Sequence, residues 1–152
     1  MRRFLTCAAL LGIGIAAGLE GARYLIICND SYLSSIRPLA EWKHAKGMQT
    51  KLVPQSQVGN DTAAIKNYIR NAYNTWPVRP EFVLLVGSPS QIPARRYTLQ
   101  QGFYYYSDNL YGDMTGDFRQ EIPVGRFPCK STAQCDVMVQ KTLTYEKTPD
   151  IA

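Results

Sequence analysis

The stretch Glu81-Phe-Val-Leu-Leu-Val-Gly87 decides the fold class of this chain. Phe82 to Val86 are apolar without interruption. A strand loses the alternation of polar and apolar residues when both of its faces are covered, as happens in a parallel sheet packed between helices. Tyr24-Leu-Ile-Ile-Cys28 has the same character, so two buried central strands are expected, with Thr50 to Val53 as a third.

The segments between these strands have a helical period. After the polar turn Asn29-Asp30-Ser31, a helix is expected from about Ser35 to Lys46. Ile36, Leu39 and Ala40 form its apolar stripe, Pro38 sits in its first turn and Gly47 supplies its C-terminal stop. Gly59-Asn-Asp-Thr62 reads as a turn ending in an N-cap. The helix that follows places Ile65, Tyr68, Ile69, Ala72, Tyr73 and Trp76 on one face. Pro77 and Pro80 end it. Ser88 to Pro128 is rich in Pro, Gly, Tyr and Asp and is expected to hold loops and short extended segments. A last helix starts at Ser131 or Thr132 and ends near Pro149, with Cys135, Met138, Val139, Thr142 and Leu143 on one face. Strands alternating with helices define βαβ units, so the expected architecture is a three-layer αβα fold with a mostly parallel sheet. A receiver-like or flavodoxin-like domain shares that alternation, but its phosphate loop and acidic strand-end cluster are not seen here.

At 152 residues, 45% of them hydrophobic, the chain has the length of one domain and enough apolar side chains for a core, which excludes intrinsic disorder. The net charge is +5, from 17 basic and 12 acidic residues, and the basic ones are scattered rather than clustered. No nucleic-acid partner is therefore expected. Arg2 and Arg3 precede an uncharged run from Phe4 to Leu19, in which small residues such as Ala16 and Gly18 suit a signal peptidase, so residues 1–20 read as a signal-peptide-like segment. An uncleaved anchor and a misplaced start are the other readings. The run falls short of the roughly 20 residues of a spanning helix, so no stable membrane span is expected. Export places the protein outside the cell or in its envelope. Cys7 would leave with the signal, and the remaining Cys28, Cys129 and Cys135 are odd in number, which excludes a complete disulfide framework. Cys28 reads as a small buried hydrophobe. Cys129 and Cys135 could bridge a helix start, but their spacing matches no metal or redox motif.

Chemistry in an open parallel sheet lies at the carboxyl ends of the strands, here Asn29 to Ser31, Pro54 to Gln57 and Gly87 to Gln91. None pairs a His with a Cys or Ser. The single histidine, His44, falls mid-helix beside Lys43 and Lys46 and reads as a solvated residue. No catalytic residue is assigned. The loop Ser107-Asp-Asn-Leu-Tyr-Gly-Asp-Met-Thr-Gly-Asp117 concentrates oxygen donors, with Asp108, Asp113, Thr115 and Asp117 as candidate Ca²⁺ ligands and Asn109 nearby. The same composition also makes ordinary β-turns. Tyr104 to Tyr106 must point to both faces of a strand, so at least one of them is expected to be exposed.

Several motifs in order resemble the gingipain family of cysteine peptidases. They are Tyr24 to Cys28, Leu39-Ala-Glu-Trp-Lys-His-Ala-Lys-Gly47, Ile65-Lys-Asn-Tyr-Ile69, Glu81 to Gly87 with Gln91-Ile-Pro93, Ser107-Asp108, Gly116-Asp117, Ile122-Pro-Val-Gly-Arg126 and Lys141-Thr-Leu-Thr-Tyr-Glu-Lys147. The resemblance implies a caspase-like fold, secretion, calcium dependence and endopeptidase activity from a Cys nucleophile with a His partner. It places residues 23–150 in the first subdomain of the catalytic unit, with the catalytic His and Cys in a second half. Thr115 stands where relatives often carry Asp, which implies a weaker calcium site. Two functions follow as expectations. One is the N-terminal portion of a secreted peptidase, inactive alone and acting on protein or peptide substrates only when the catalytic half is supplied. The other is a non-catalytic, calcium-stabilised binding module.

Overall fold

The computed structural model describes residues 21–149. The signal-peptide-like segment 1–20 lies outside the described residues. In chain order the elements are β1 (Tyr24–Cys28), α1 (Leu33–Ala45), β2 (Thr50–Pro54), α2 (Gln55–Val58), α3 (Thr62–Thr75), β3 (Phe82–Val86), β4 (Arg95–Thr98), β5 (Tyr104–Ser107), α4 (Asn109–Gly112), β6 (Val124–Phe127) and α5 (Thr132–Lys147). Four strands form one sheet in the order β2-β1-β3-β6, every pair parallel. β4 and β5 make a separate antiparallel hairpin.

Strand pleating sorts the central side chains into two cores. Ile26, Cys28, Leu84 and Val86 point toward α1 and α5, meeting Ile36, Leu39, Cys135, Val139 and Leu143. Leu25, Ile27, Val83 and Leu85 point the other way, toward Ile65 and Ile69 of α3 and toward Ile92, Tyr111 and Ile122 from the long loop. The fold is therefore the three-layer αβα arrangement expected from the uninterrupted apolar strands.

The helix ends follow from local chemistry. Asp61 accepts a hydrogen bond from the Ala64 amide at 2.7 Å and caps α3. Ser131 caps α5 by accepting from the Gln134 amide, while the Gln134 side chain accepts from the Lys130 amide. At the end of α1, Gly47 takes φ +87°; its amide donates to the His44 carbonyl, and the Met48 amide donates to the Lys43 carbonyl. That pair of bonds is a Schellman ending, and the left-handed residue in it favours glycine. Glu146 joins the two helices of one layer, accepting from Trp42 Nε1 at 3.0 Å and from Lys43 Nζ at 2.5 Å. Burial lifts the Glu146 carboxyl, but Lys43, Trp42 and Lys46 together hold the group below the usual carboxylate range.

Two expectations are corrected. Pro38 lies inside α1 rather than in its first turn, because a 3-10 turn at Asp30–Tyr32 starts the helix earlier. Its missing N–H deprives the Ser34 carbonyl, and both residues are on the exposed side, where water replaces the bond. The stretch from Ser88 to Pro128, expected to hold loops and short extended segments, also contains the short helix α4, and its extended segment β6 is a full member of the parallel sheet. Tyr104, Tyr105 and Tyr106 are all exposed on the hairpin, with Tyr105 stacked on Tyr97 at 5.2 Å between ring centres.

Candidate functional site

The carboxyl ends of β1, β2 and β3 are tied together by side-chain amides. Asn29 donates to Gln55 Oε1 at 3.0 Å, Gln55 donates to the Gln91 carbonyl at 2.6 Å, and Gln91 donates to the Tyr32 hydroxyl at 2.7 Å. The Gln91 side-chain oxygen accepts from both the amide and the hydroxyl of Ser88, at 3.1 and 2.9 Å. Gln55 and Ser88 are buried, so a satisfied network is what makes their burial tolerable. Gly87 opens this loop at φ +146°, close to Asn29 and Gln91.

Arg126 of β6 completes the strand-end floor. Its Nε and Nη2 grip the two Asp108 oxygens at 2.7 Å each, and Nη1 donates to the carbonyls of Gly87 and Ile92 at 2.8 and 2.9 Å. One guanidinium thus pins the exit of the hairpin, the loop after β3 and the edge strand. A planar fork suits this task, whereas an ammonium can supply only a point charge.

Among the described residues, no thiol is presented on this floor. Cys28, Cys129 and Cys135 are fully buried free thiols in the layer of α1 and α5. Burial pushes all three up, Cys135 to about 12, which leaves them as protonated, unreactive thiols at neutral pH. His44 is exposed on α1, and its Nδ1 accepts from the Thr50 amide at 3.3 Å. It borders a shallow cleft of about 390 Å³ with Arg37, Glu41 and Leu52, and no thiol lines that cleft. The floor can position and rigidify; the acid-base and nucleophilic groups of a hydrolase are not among the described residues that form it.

Each of the four proposed calcium ligands has a hydrogen-bond or ion-pair partner of its own. Asp108 faces Arg126. Asp113 is buried and accepts from the amides of Gly116 and Phe118 at 2.6 and 3.1 Å. Burial alone would lift its carboxyl, but these amides and Lys66 bring it below the ordinary value. Thr115 donates to Glu121 Oε1 at 3.2 Å, and Asp117 accepts from the Arg119 amide at 2.9 Å. Asn109 donates to the Phe118 carbonyl. Among the described residues, no group of three or more His, Cys, Asp or Glu side chains is arranged to hold a metal ion. Asp108 does not fit a cation site, because its charge and both oxygens are engaged by Arg126. Asp113, Thr115 and Asp117 keep lone pairs, since a carboxylate has about four acceptor positions.

Sequence reasoning located these strand ends but did not single out Gln55, Ser88, Gln91 or Arg126. Amides and hydroxyls carry no periodic signature, and the only signal for Arg126 was its place in Val124-Gly-Arg126 beside the acidic loop.

A parallel sheet covered on both faces, with a polar floor at its carboxyl edge, places the chain in the caspase-like α/β class. Residues 18–152 match peptidase family C25, and the chain belongs to that family. It is 28% identical over 131 residues to Gingipain R2 of Porphyromonas gingivalis, covering 84% of this chain and 17% of that protein. It is 25% identical over 130 residues to Lys-gingipain of the same organism, covering 82% of this chain and 7% of the relative. Among solved structures, the Arg-specific cysteine proteinase gingipain R (RgpB) superposes with a TM-score of 0.71 at 26% identity, covering 84% of this chain and 30% of that one. Dimeric latent PorU from Porphyromonas gingivalis shares the fold with a TM-score of 0.69 at 19% identity, over 84% of this chain and 16% of PorU. The chain thus spans less than a third of these relatives.

Proposed function

We propose that this chain supplies the first α/β portion of the catalytic unit of an exported cysteine endopeptidase, secreted or held in the cell envelope, and that the 152 residues alone do not hydrolyse peptides. The observation that carries this reading is the separation of chemistry from scaffold: the described thiols are sealed in the core while the one imidazole stands outside on α1. The open edge of β6 and the exposed Val137 on α5 support it, because both are surfaces that further sheet and helix can cover. No helix among the described residues is long and apolar enough to cross a membrane. Substrates in this reading are proteins or peptides, met once the nucleophile-bearing half is supplied. Incubating the full chain with peptide substrates and reductant is expected to give no thiol-dependent turnover. Turnover that disappears in Cys28→Ala overturns the proposal.

Calcium belongs to the same reading. Asp113, Thr115 and Asp117 lie in one short loop with Glu121 beside them, and the free lone pairs of these groups are the support for a weak Ca²⁺ site without Asp108. A cation bound tenfold above its Kd is expected to raise Tm by about 3–5 °C. Asp117→Asn, which keeps an oxygen for the Arg119 amide, is expected to remove that increment and leave the calcium-free Tm unchanged. Thermal unfolding with and without millimolar Ca²⁺ is the measurement; no shift in the parent chain overturns the site.

A further inference from the structure

We propose that the ribbon of β4 and β5 is a docking surface for an extended, acidic polypeptide segment, which lies across the face of Arg96, Tyr104 and Tyr106 and sets a carboxylate against the Arg96 guanidinium. Successive residues of a strand point to opposite faces. The register pairs Arg96 with Tyr106 and Thr98 with Tyr104, so these four side chains share one face, while Arg95, Tyr97, Tyr105 and Ser107 share the other. Arg96 and Thr98 are exposed, as are Tyr104 at 56% and Tyr106 at 57%. A two-stranded ribbon is marginal on its own. This one is held at both feet: Arg126 grips Asp108 just after β5, and the Tyr111 hydroxyl donates to the Pro93 carbonyl shortly before β4.

The face is suited to an anion flanked by apolar atoms. The Arg96 guanidinium lies over the Tyr104 ring at 5.0 Å, and Tyr104 meets Tyr106 edge to face at 5.7 Å. Contact with a ring steadies a guanidinium and leaves its N–H edge free for the two oxygens of a carboxylate. Tyrosine rings add contact area at a small cost in rotamer freedom. Among the described residues no carboxylate pairs with Arg96, whereas Arg23 and Arg126 each hold one. From residue 82 to residue 107 the chain has Arg95 and Arg96 and no Asp or Glu, so nothing in the ribbon supplies the carboxylate. A second copy of this chain is a poor occupant, because the face would meet its own cation and no anion. A nucleic acid is a poor occupant too, since it presents a charge at every nucleotide and this face offers one cation.

The test measures binding and no turnover, so its failure leaves the peptidase reading untouched. The full chain is titrated against a short fluorescein-labelled peptide of repeating Glu-Pro-Leu, with fluorescence anisotropy as the readout. Saturable binding is expected at low salt with a Kd of about 10–100 μM, as suits a small surface. Glutamine in place of glutamate in the peptide is expected to weaken binding about tenfold or more. Arg96→Gln is expected to weaken it about tenfold, and Tyr104→Ser or Tyr106→Ser about threefold to fivefold. Arg95→Gln removes the same charge from the opposite face and is expected to change Kd by less than about twofold. A general attraction of the +5 chain for anions would treat the two arginines alike. All four substituted positions are exposed, so Tm is expected to match the parent, which separates lost binding from lost fold. Four results overturn the proposal: no saturable binding up to about 1 mM peptide, equal losses for Arg95→Gln and Arg96→Gln, tighter binding of an oligodeoxythymidine than of the peptide, or self-association in sedimentation that excludes the peptide.

Discussion

Arg126→Ala is expected to lower the unfolding free energy by about 3 kcal/mol, the range for removing one partner of a largely buried, hydrogen-bonded charge pair. The side chain of Arg126 is 10% exposed and that of Asp108 is 22% exposed, so water replaces little of what is lost. The substitution strands the Asp108 carboxylate and releases the carbonyls of Gly87 and Ile92 at once. Asp108→Ala is expected to cost less, because the guanidinium keeps both carbonyls. Denaturant unfolding of the two single variants and the double variant gives the coupling, expected to be about 1–3 kcal/mol. Arg126→Lys is expected to recover only part of the stability. A cost for Arg126→Ala below about 0.5 kcal/mol, the level of an ordinary surface substitution, is incompatible with a clamp at the strand ends.

Gly112→Ala is expected to be similarly severe for a steric reason. A Cβ at that position would stand 2.2 Å from the Ile122 carbonyl oxygen and 3.1 Å from Gln120 Cγ. The Gly112 carbonyl also accepts from the amides of Glu121 and Ile122, so the two strands of the loop touch backbone to backbone. Relieving the overlap means moving Ile122 out of the core, and overpacking of this kind costs about 1–3 kcal/mol. Gly116→Ala is the control. Gly116 has φ +88° but nothing within 4 Å, so alanine there meets only the left-handed backbone penalty of about 1 kcal/mol. Equal costs for the two variants would show that the close approach at Gly112 does not matter.

The layers were legible because burial on both faces writes itself into composition. Leu25 to Cys28 and Val83 to Val86 are apolar at every position, and alternate residues feed opposite cores. The helices were legible where period and cap agree, as at Asp61 and Ser131. β6 was harder to place. Val124-Gly-Arg-Phe127 mixes a glycine and a charge into an edge strand, and Arg126 is there to reach across the strand ends rather than to fill a core. In the acidic loop, composition points to oxygen donors, while which partner each carboxylate takes, as Asp108 takes Arg126, is set by position in the fold.

By itself the sequence determined the class of fold, the order of its main elements and the absence of a Cys–His pair among motifs at the strand ends, since these depend on local periodicity and residue type. The tertiary structure alone decided that Asp108 answers Arg126 and that Gln55 and Gln91 tie three strands. Those pairs are set by which chain segments lie side by side. A charge 18 residues away or an amide 36 residues away leaves no trace in local pattern, and only the folded geometry brings it within 3 Å.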